Sequence, residues 1–586
     1  MSEHKAERRY TGQPISAGIA IGPVAICDAR DLPDIPRHSV DPSDVDHELA
    51  RLAQAVIESK RELKAIIERV AAEIGEKEAD IFRTHLVMLD DPSLRESVEE
   101  KVTKEGINVE AALGDVIEGL HKVFSAVGDV YIRERALDIS DIGRRLLSRL
   151  VSEAGQVCGP LAAPSVVAAG NLTPAITVHL DRANILGFVT EAGGVTSHAA
   201  ILARSLGVPA VSGLKDFTTH LRHASRVLVD GFRGEVIIDP SEETVVEHER
   251  WQKEFEVFKQ QIRDESPLPA VTTDGHRIQI MANLGRLDDV NLGSMDHFDG
   301  VGLYRTEYQF LTGRELPSEE AQFKDYKTIA EKVGDKGVNI RVLDIGGDKA
   351  LPYLPMPKEA NPFLGWRGLR FLQDHPDIFR TQLRAILRAS VYGKLHIMYP
   401  MINTVEELLF AREMLQEAED ELAKTGEPFD EEIQQGIMVE TAAAVETLDL
   451  LLRHADFLSV GSNDLVQYLL TADRTNERVA RYYEPREPAV MRALKRIVDA
   501  AAKAEKSLSI CGEIAGSPGY THLLVGMGYP ILSMNVIAAA HVKHVVRTMA
   551  YEDARKLAEQ ILSMETAEEI KYTLSVSCKY DFDVRT

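Results

Sequence analysis

The chain has 586 residues, with 67 basic against 92 acidic side chains and a formal net charge of −25. That length calls for two or three domains, because single hydrophobic cores stop growing well below it. The acidic excess argues against nucleic acid as a partner, no apolar run reaches the roughly 18–20 residues that insert across a membrane, and no apolar stretch follows Met1–Arg9 as a secretory leader would have.

A 44% hydrophobic and 27% charged composition is that of an ordinary globular protein. The acidic surface either aids solubility or draws in a basic protein partner. Cys27, Cys158, Cys511 and Cys578 lie far apart and form no paired framework, which points to a reducing, cytoplasmic setting.

In chain order, residues 10–27 alternate small and apolar residues with glycines, as a strand-and-turn unit does. From Ser43 to Val151 the pattern becomes long amphipathic helices. Leu49, Leu52, Ala53, Val56 and Ile57 mark the apolar face of the first. A second helical run covers Glu76–Met88 and ends near Asp90-Asp91-Pro92, and two more cover Val109–Val127 and Val130–Leu150. Short buried strands then return at 165–169 and 185–190, followed by a strand pair at 226–231 and 235–240. Glu242–Asp264 is a polar helix, broken by Ser266-Pro267-Leu268-Pro269. The pattern predicts an α/β domain of residues 1–30 and 151–240, a helical-bundle insertion at 31–150, a helical linker at 241–270 and a second α/β domain from 271 to 586.

In that second domain eight apolar strands alternate with helices: 278–282, 302–305, 340–344, 395–399, 436–440, 457–461, 508–511 and 531–534. Eight such repeats predict a (β/α)8 TIM barrel, whose chemistry sits at the carboxyl ends of its strands.

Two stretches carry chemistry. The first is Gly193-Gly194-Val195-Thr196-Ser197-His198, running into Ala199–Arg204. The glycines permit a tight turn, Thr196 or Ser197 can cap the helix that follows, and His198 falls in its first turn, where free N–H groups and the dipole favour an anion. No second ligand stands three or four residues on, so the imidazole suits attack on phosphorus better than a metal. The bland reading is a capping or surface histidine.

The second stretch is the set of barrel strand ends. Arg305, Arg341 and Arg367 sit in glycine-rich segments from separate elements, and guanidinium forks match phosphate and carboxylate. Glu440 and Asp464 end neighbouring strands and make a sparse hard-cation site suited to Mg²⁺, or else hydrogen bond to close the barrel. Cys511 is a packing thiol or, at this face, a proton donor.

These words resemble the phosphohistidine loop and phosphoenolpyruvate-binding barrel of the enzyme I family of the bacterial phosphotransferase system, over nearly the whole chain. The loop is also shared with pyruvate phosphate dikinase and phosphoenolpyruvate synthase. The resemblance implies that phosphoenolpyruvate phosphorylates His198, releasing pyruvate, and that the phosphoryl group passes to a histidine of a small phosphocarrier protein, the first step of sugar transport. It implies that Arg305 and Arg341 hold the phosphate with help from Arg474. Asn463 and Asp464 contact substrate, Arg367 lines the pocket, Glu440 and Asp464 bind Mg²⁺, and Cys511 protonates the enolate carbon. Arg204 would contact the phosphoryl oxygens, and Thr177 would orient the imidazole. The first domain becomes a phosphohistidine domain swinging on the linker, the insertion a carrier dock or a purely structural bundle, and the barrel a homodimerisation domain. Ser462 and Ala442 replace the family's Thr and Pro.

Two other readings stand beside this one. A dikinase or synthase would carry an ATP-binding domain ahead of the loop, and the 192 residues before Gly193 hold no Gly-rich phosphate loop. A regulatory, nitrogen-type phosphorelay enzyme would carry an amino-terminal sensor, for which the sequence shows no room, although a regulatory carrier stays open.

Overall fold

In the computed structural model the described residues are 7–27, 35–73, 83, 85–86, 88–89, 92–125, 139, 142–143, 145–147, 149–151, 161, 163–170, 182–191, 200, 202–203, 206–215, 217–221, 224, 226–287, 289, 295–313, 315–347, 349, 351, 353–354, 356–357, 359–476 and 478–577. The chain forms two compact units, Met1–Phe255 (with Val584–Thr586) and Glu256–Asp583.

The first unit contains nine strands among its described residues: β1 (Arg8–Thr11), β2 (Gln13–Ser16), β3 (Ile19–Gly22), β4 (Val24–Ile26), β5 (Ser165–Ala169), β6 (Ile185–Thr190), β7 (Ala210–Ser212), β8 (Val227–Asp230) and β9 (Glu235–Ile238). They form an antiparallel sheet in the order β1-β9-β8-β3 and a largely parallel one in the order β2-β7-β6-β5-β4. Of the parallel sheet's interior strands, β5 and β6 are buried along nearly their whole length, which is why they read as continuous apolar runs. The β8–β9 hairpin turns tightly because Asp230 Oδ1 accepts from the N–H groups of Phe232 (2.9 Å) and Arg233 (3.0 Å). Gly234 closes it at φ +68°, and a Cβ on Gly231 would meet Ser16 O at 1.9 Å.

Between β4 and β5 lie the helices Val45–Glu73, Pro92–Glu105 and Val109–Ser125, with further helical residues between 139 and 150. Pro92 stands at the first position of its helix, so the break read at Asp90–Pro92 is also a start. The apolar face of the first helix is rotated from the expected one. Leu52, Ala55 and Leu63 are buried, whereas Ala53 is exposed and Ile57 is 60% exposed. At 100° per residue, positions 53 and 57 turn away from the stripe that 52, 55, 56 and 63 share. Arg51 ties the bundle together, pairing with Glu48 (2.7 Å) and Glu110 and donating to Leu150 O (3.1 Å). The cysteine expectation fails at one position: Cys27 is disulfide-bonded, to a partner outside the described residues. Cys158 and Cys578 also lie outside them.

The second unit is a closed parallel barrel of β10 (Gln279–Leu284), β11 (Val301–Arg305), β12 (Val338–Arg341), β13 (Leu395–Tyr399), β14 (Gln434–Val439), β15 (Phe457–Gly461), β16 (Ser507–Cys511) and β17 (Ile531–Met534). All eight expected strands are present. The largest departure is at 340–344, where the strand ends at Arg341 and the next residues leave the ladder to build the mouth. Neither unit has, among the described residues, a helix long and apolar enough to cross a membrane.

The barrel is stitched to its last helices by Asp274, whose carboxylate accepts from the N–H groups of Tyr551 (2.9 Å) and Glu552 (3.1 Å) and from the Thr272 hydroxyl. It caps the helix Tyr551–Leu562, whose own N-cap residue is Ala550 and offers no side chain for the purpose. Led by the Thr272 bond, these contacts lower the Asp274 carboxyl to about 2. A depressed carboxylate stabilises the fold above its unfolded pKa and loses that effect as pH falls through the folded value. Asp274→Ala should therefore melt below the parent protein at pH 6, with the gap narrowing from pH 4 down toward 2. A series of circular-dichroism melts checks this, and a gap independent of pH would refute it.

Candidate functional site

Thr177, Thr196, Ser197, His198 and Arg204 lie outside the described residues. The flanking structure is described. β6 ends at Thr190, whose hydroxyl donates to Ser212 Oγ (2.8 Å), and the chain resumes with Ala200 and Ala203, both fully buried in the core that includes Val167 and Phe188. β6 is parallel to both its neighbours, and the carboxyl ends of such strands are where open α/β sheets hold their ligands.

In the barrel, side chains alternate between interior and exterior along each strand. Tyr304 faces out, its ring edge-on to Tyr326, so Leu303 and Arg305 face in. The same alternation puts Arg341, Met438 and Cys511 inside, and Glu440 one step beyond Val439. Leu303, Met398, Met438, Phe457 and Cys511 pack as one buried layer. Above that layer, at the carboxyl ends, the sequence-predicted residues converge. Arg305 and Arg341 are paired across the ladder.

Arg341 is buried and forms an ion pair with Glu307, with Asp344 Oδ2 3.4 Å away and Met438 Sδ 3.6 Å from Nη1. Lys349 Nζ reaches the same two carboxylates, at 3.3 Å from Glu307 and 3.4 Å from Asp344. Arg367, 2% exposed, is held by two carboxylates at once. Its Nε and Nη2 donate to Asp344 Oδ1 and Oδ2 (3.0 Å each), Nη2 donates to Asp464 Oδ2 (2.8 Å), and Nη1 donates to Tyr468 Oη (3.2 Å). Arg474 lies 3.7 Å from Asp464 at the rim. Arg305 is exposed, so of the three arginines read from the sequence one faces solvent while two are paired with buried acids, Arg341 keeping a buried Nε without a partner among the described residues.

Glu440 is 1% exposed and accepts the N–H of Met401 (2.7 Å) through Oε1. Asn463 exchanges bonds with Glu513, accepting from its N–H at 3.0 Å. Tyr483 donates to Asn463 O (3.1 Å). The Cys511 thiol is 3.3 Å from Val460 O and accepts from Ser459 Oγ at 3.6 Å. Ser462 donates to Cys511 O (2.8 Å), so the residue standing for the family's Thr still uses its hydroxyl. Ala442 opens the short helix capped by Thr441, where a proline would also fit.

The charges of this cluster set one another. Burial opposes ionisation of Asp344 and Glu307, yet Arg341 and Lys349 outweigh it and hold both carboxyls below their ordinary range. Burial equally opposes the Arg341 and Arg367 cations, and the surrounding carboxylates overcome it. Glu440 goes the other way. Burial, then the negative charges of Asp464 and Asp344, push it up to about 8. A carboxyl so crowded by negative charge is where a hard cation would be welcome. Among the described residues no group of three or more His, Cys, Asp or Glu is arranged to hold a metal. Glu440 and Asp464 alone suit a cation that keeps water or substrate oxygens in its shell. Burial also raises the Cys511 thiol, partly offset by Ser459, Arg305 and Arg341, so it stays protonated.

Four residues at this mouth carry no role in the sequence reading: Glu307, Asp344, Lys349 and Tyr468. Glu307 and Asp344 follow Arg305 and Arg341 by two and three residues, and Lys349 closes the glycine-rich stretch after Asp344, so an acid beside an arginine at a strand end was the available signal. Tyr468 lies in a helix and gives none. Because Asp344 is, among the described residues, the only acid shared by Arg341, Arg367 and Lys349, Asp344→Ala leaves buried cations short of a partner. The expected loss is about 3–5 kcal/mol of stability, measured by urea denaturation. A loss below about 1 kcal/mol would show that the cations find other partners.

Three family models match the chain. They are the PEP-utilising enzyme PEP-binding domain over residues 259–551, the PEP-utilising enzyme N-terminal domain over 11–135, and the PEP-utilising enzyme mobile domain over 161–234. Among curated relatives, the phosphoenolpyruvate-protein phosphotransferase of Geobacillus stearothermophilus is 41% identical over 564 residues, covering 96% of this chain and 97% of that protein. Its counterpart in Bacillus subtilis is 40% identical, covering 95% and 97%, and that of Staphylococcus carnosus is 38% identical, covering 96% and 98%. These matches span nearly the whole chain, which belongs to the phosphoenolpyruvate-protein phosphotransferase family of PEP-utilising enzymes.

Proposed function

We propose that this enzyme transfers the phosphoryl group of phosphoenolpyruvate to His198 and then to a histidine on a small phosphocarrier protein. The observation that carries the reading is the barrel mouth, where Arg305 and Arg341 stand side by side above Cys511 and close to Glu440 and Asp464. Family membership supports it.

Arg305 and Arg341 bind the phosphoryl group, with Arg474 at the rim and Arg367 anchoring Asp464 from behind. A substrate anion competes with Glu307 for Arg341. Asn463 contacts the bound substrate. Glu440 and Asp464 would hold Mg²⁺, which when bound neutralises charge on the substrate oxygens. The imidazole of His198, in its neutral form, attacks phosphorus. The P–N bond forms as the bond from phosphorus to the enol oxygen breaks, and the electron pair stays on the enolate. Cys511 delivers its proton to the methylene carbon, giving pyruvate, and Arg305 and Arg341 stabilise the thiolate left behind. Thr196, Ser197 and Arg204 hold the phosphoryl group on the loop, and Thr177 orients the ring.

Residues 1–30 and 151–240 form the phosphohistidine domain, 31–150 the carrier dock, 241–270 the linker, and 271–586 the barrel through which a homodimer assembles in the cytoplasm. Sugar transport is the downstream process.

Intact-mass measurement after phosphoenolpyruvate and Mg²⁺ should show one acid-labile phosphoryl adduct, absent in His198→Ala and absent with ATP as donor. An adduct from ATP alone, or none from either donor, overturns the assignment. Cys511→Ala should slow conversion of the enolate to pyruvate on the order of 10²–10⁴-fold, the range of a positioned general acid, read as the rate of pyruvate release under turnover. An unchanged rate would remove the thiol from the proton transfer.

A further inference from the structure

One fully buried amide outside the charge cluster holds the two strand ends from which that cluster projects. Gln382 lies on the helix Pro376–Ala389, whose other buried positions, Ile378, Phe379, Leu383 and Ile386 among them, are apolar. It is 0% exposed and each polar atom of its side chain has a partner. Oε1 accepts the N–H of Leu343 (2.9 Å), while Nε2 donates to Thr306 Oγ1 (3.2 Å) and to Tyr326 Oη (3.1 Å). Thr306 in turn donates to Arg341 O (3.0 Å), and Tyr326 donates to Gln322 Oε1 (3.2 Å), whose own Nε2 donates to Pro317 O (3.1 Å).

The direction of every bond is forced. Leu343 N–H can only donate, and Arg341 O and Pro317 O can only accept, so no flipped amide or reversed hydroxyl satisfies the set. Thr306 sits between Arg305 and Glu307. Leu343 lies between Arg341 and Asp344. The ladder itself ends at Arg305 and Arg341, so past that point Gln382 and Thr306 supply the register that strand pairing no longer does.

We propose that Gln382 is a positioning residue that sets the relative placement of Arg305 and Arg341 for phosphoenolpyruvate. The inference rests on the function proposed above. An apolar side chain of the same length fills the space but releases Thr306 and Leu343, and a misplacement near 1 Å at a reacting centre costs on the order of 10²-fold. A glutamate keeps the shape and, as a carboxylate, supplies no donor to Thr306 or Tyr326.

The test uses the full-length chain as Gln382→Met, Gln382→Glu and, as a control, Leu383→Ala, which creates a cavity on the same helix without touching the strand ends. Expected is a fall of about 100-fold in kcat/KM for phosphoenolpyruvate-driven labelling of His198 in both Gln382 variants. KM should rise, and Leu383→Ala should melt earlier yet keep its KM. Values within twofold of wild type in Gln382→Met, or the same KM increase in Leu383→Ala, overturn the proposal. A wild-type chain that takes no phosphoryl group from phosphoenolpyruvate defeats the function instead. In that event a crystal structure of Gln382→Met decides this point alone: displaced Arg305 and Arg341 support it, and unmoved ones overturn it.

Discussion

The barrel mouth depends on the requirement that no charge be buried without its opposite. Arg341 and Arg367 are almost fully withdrawn from water, and an isolated guanidinium there would cost several kcal/mol. Glu307, Asp344 and Asp464 meet that requirement in alternation with the cations, so that each acid touches at least two bases. Such a ladder is rigid because moving any member strands its neighbours. Its carboxylates also occupy the guanidinium edges that an incoming anion would need. A ligand that carries more negative charge than Glu307 has something to displace, and the released carboxylate still has Lys349 beside it.

That arrangement explains why neighbouring acids behave oppositely. Asp344 faces cations on several sides and is held ionised, whereas Glu440 faces Asp464 and Asp344 and holds its proton to about 8. The contrast comes from neighbours and not from depth, since both are buried. Cys511 follows the same logic in reverse, with burial raising the thiol and two arginines limiting the rise. A thiol so placed keeps its proton, and the two arginines loosen its hold on it.

The polar network behind the mouth belongs to the same economy of buried groups. Gln382, Thr306, Tyr326 and Gln322 satisfy one another completely, and their value lies in directing backbone that strand pairing has released. Nothing in the amphipathic pattern of the helix Pro376–Ala389 marks Gln382 as different from a surface glutamine, because periodicity records which positions are apolar and says nothing of a polar one that is fully paired. The first helix shows the opposite error. Ile57 is apolar and was expected inside, yet it is exposed because Leu52, Ala55 and Leu63 define a stripe that excludes it.

The sequence by itself determined the strands, their alternation with helices and the identities at the strand ends, because buried parallel strands must be apolar and a barrel's chemistry must follow them. It also supplied the family resemblance through contiguous words such as those around His198 and Glu440. Only the tertiary structure decided which side chains oppose one another. Asp344 between three cations, Arg367 clamped by acids 23 and 97 residues away, and Gln382 spanning to residues 39 and 76 positions distant are contacts between separate elements, invisible to any local pattern. Charge state and positioning are properties of those long-range neighbours.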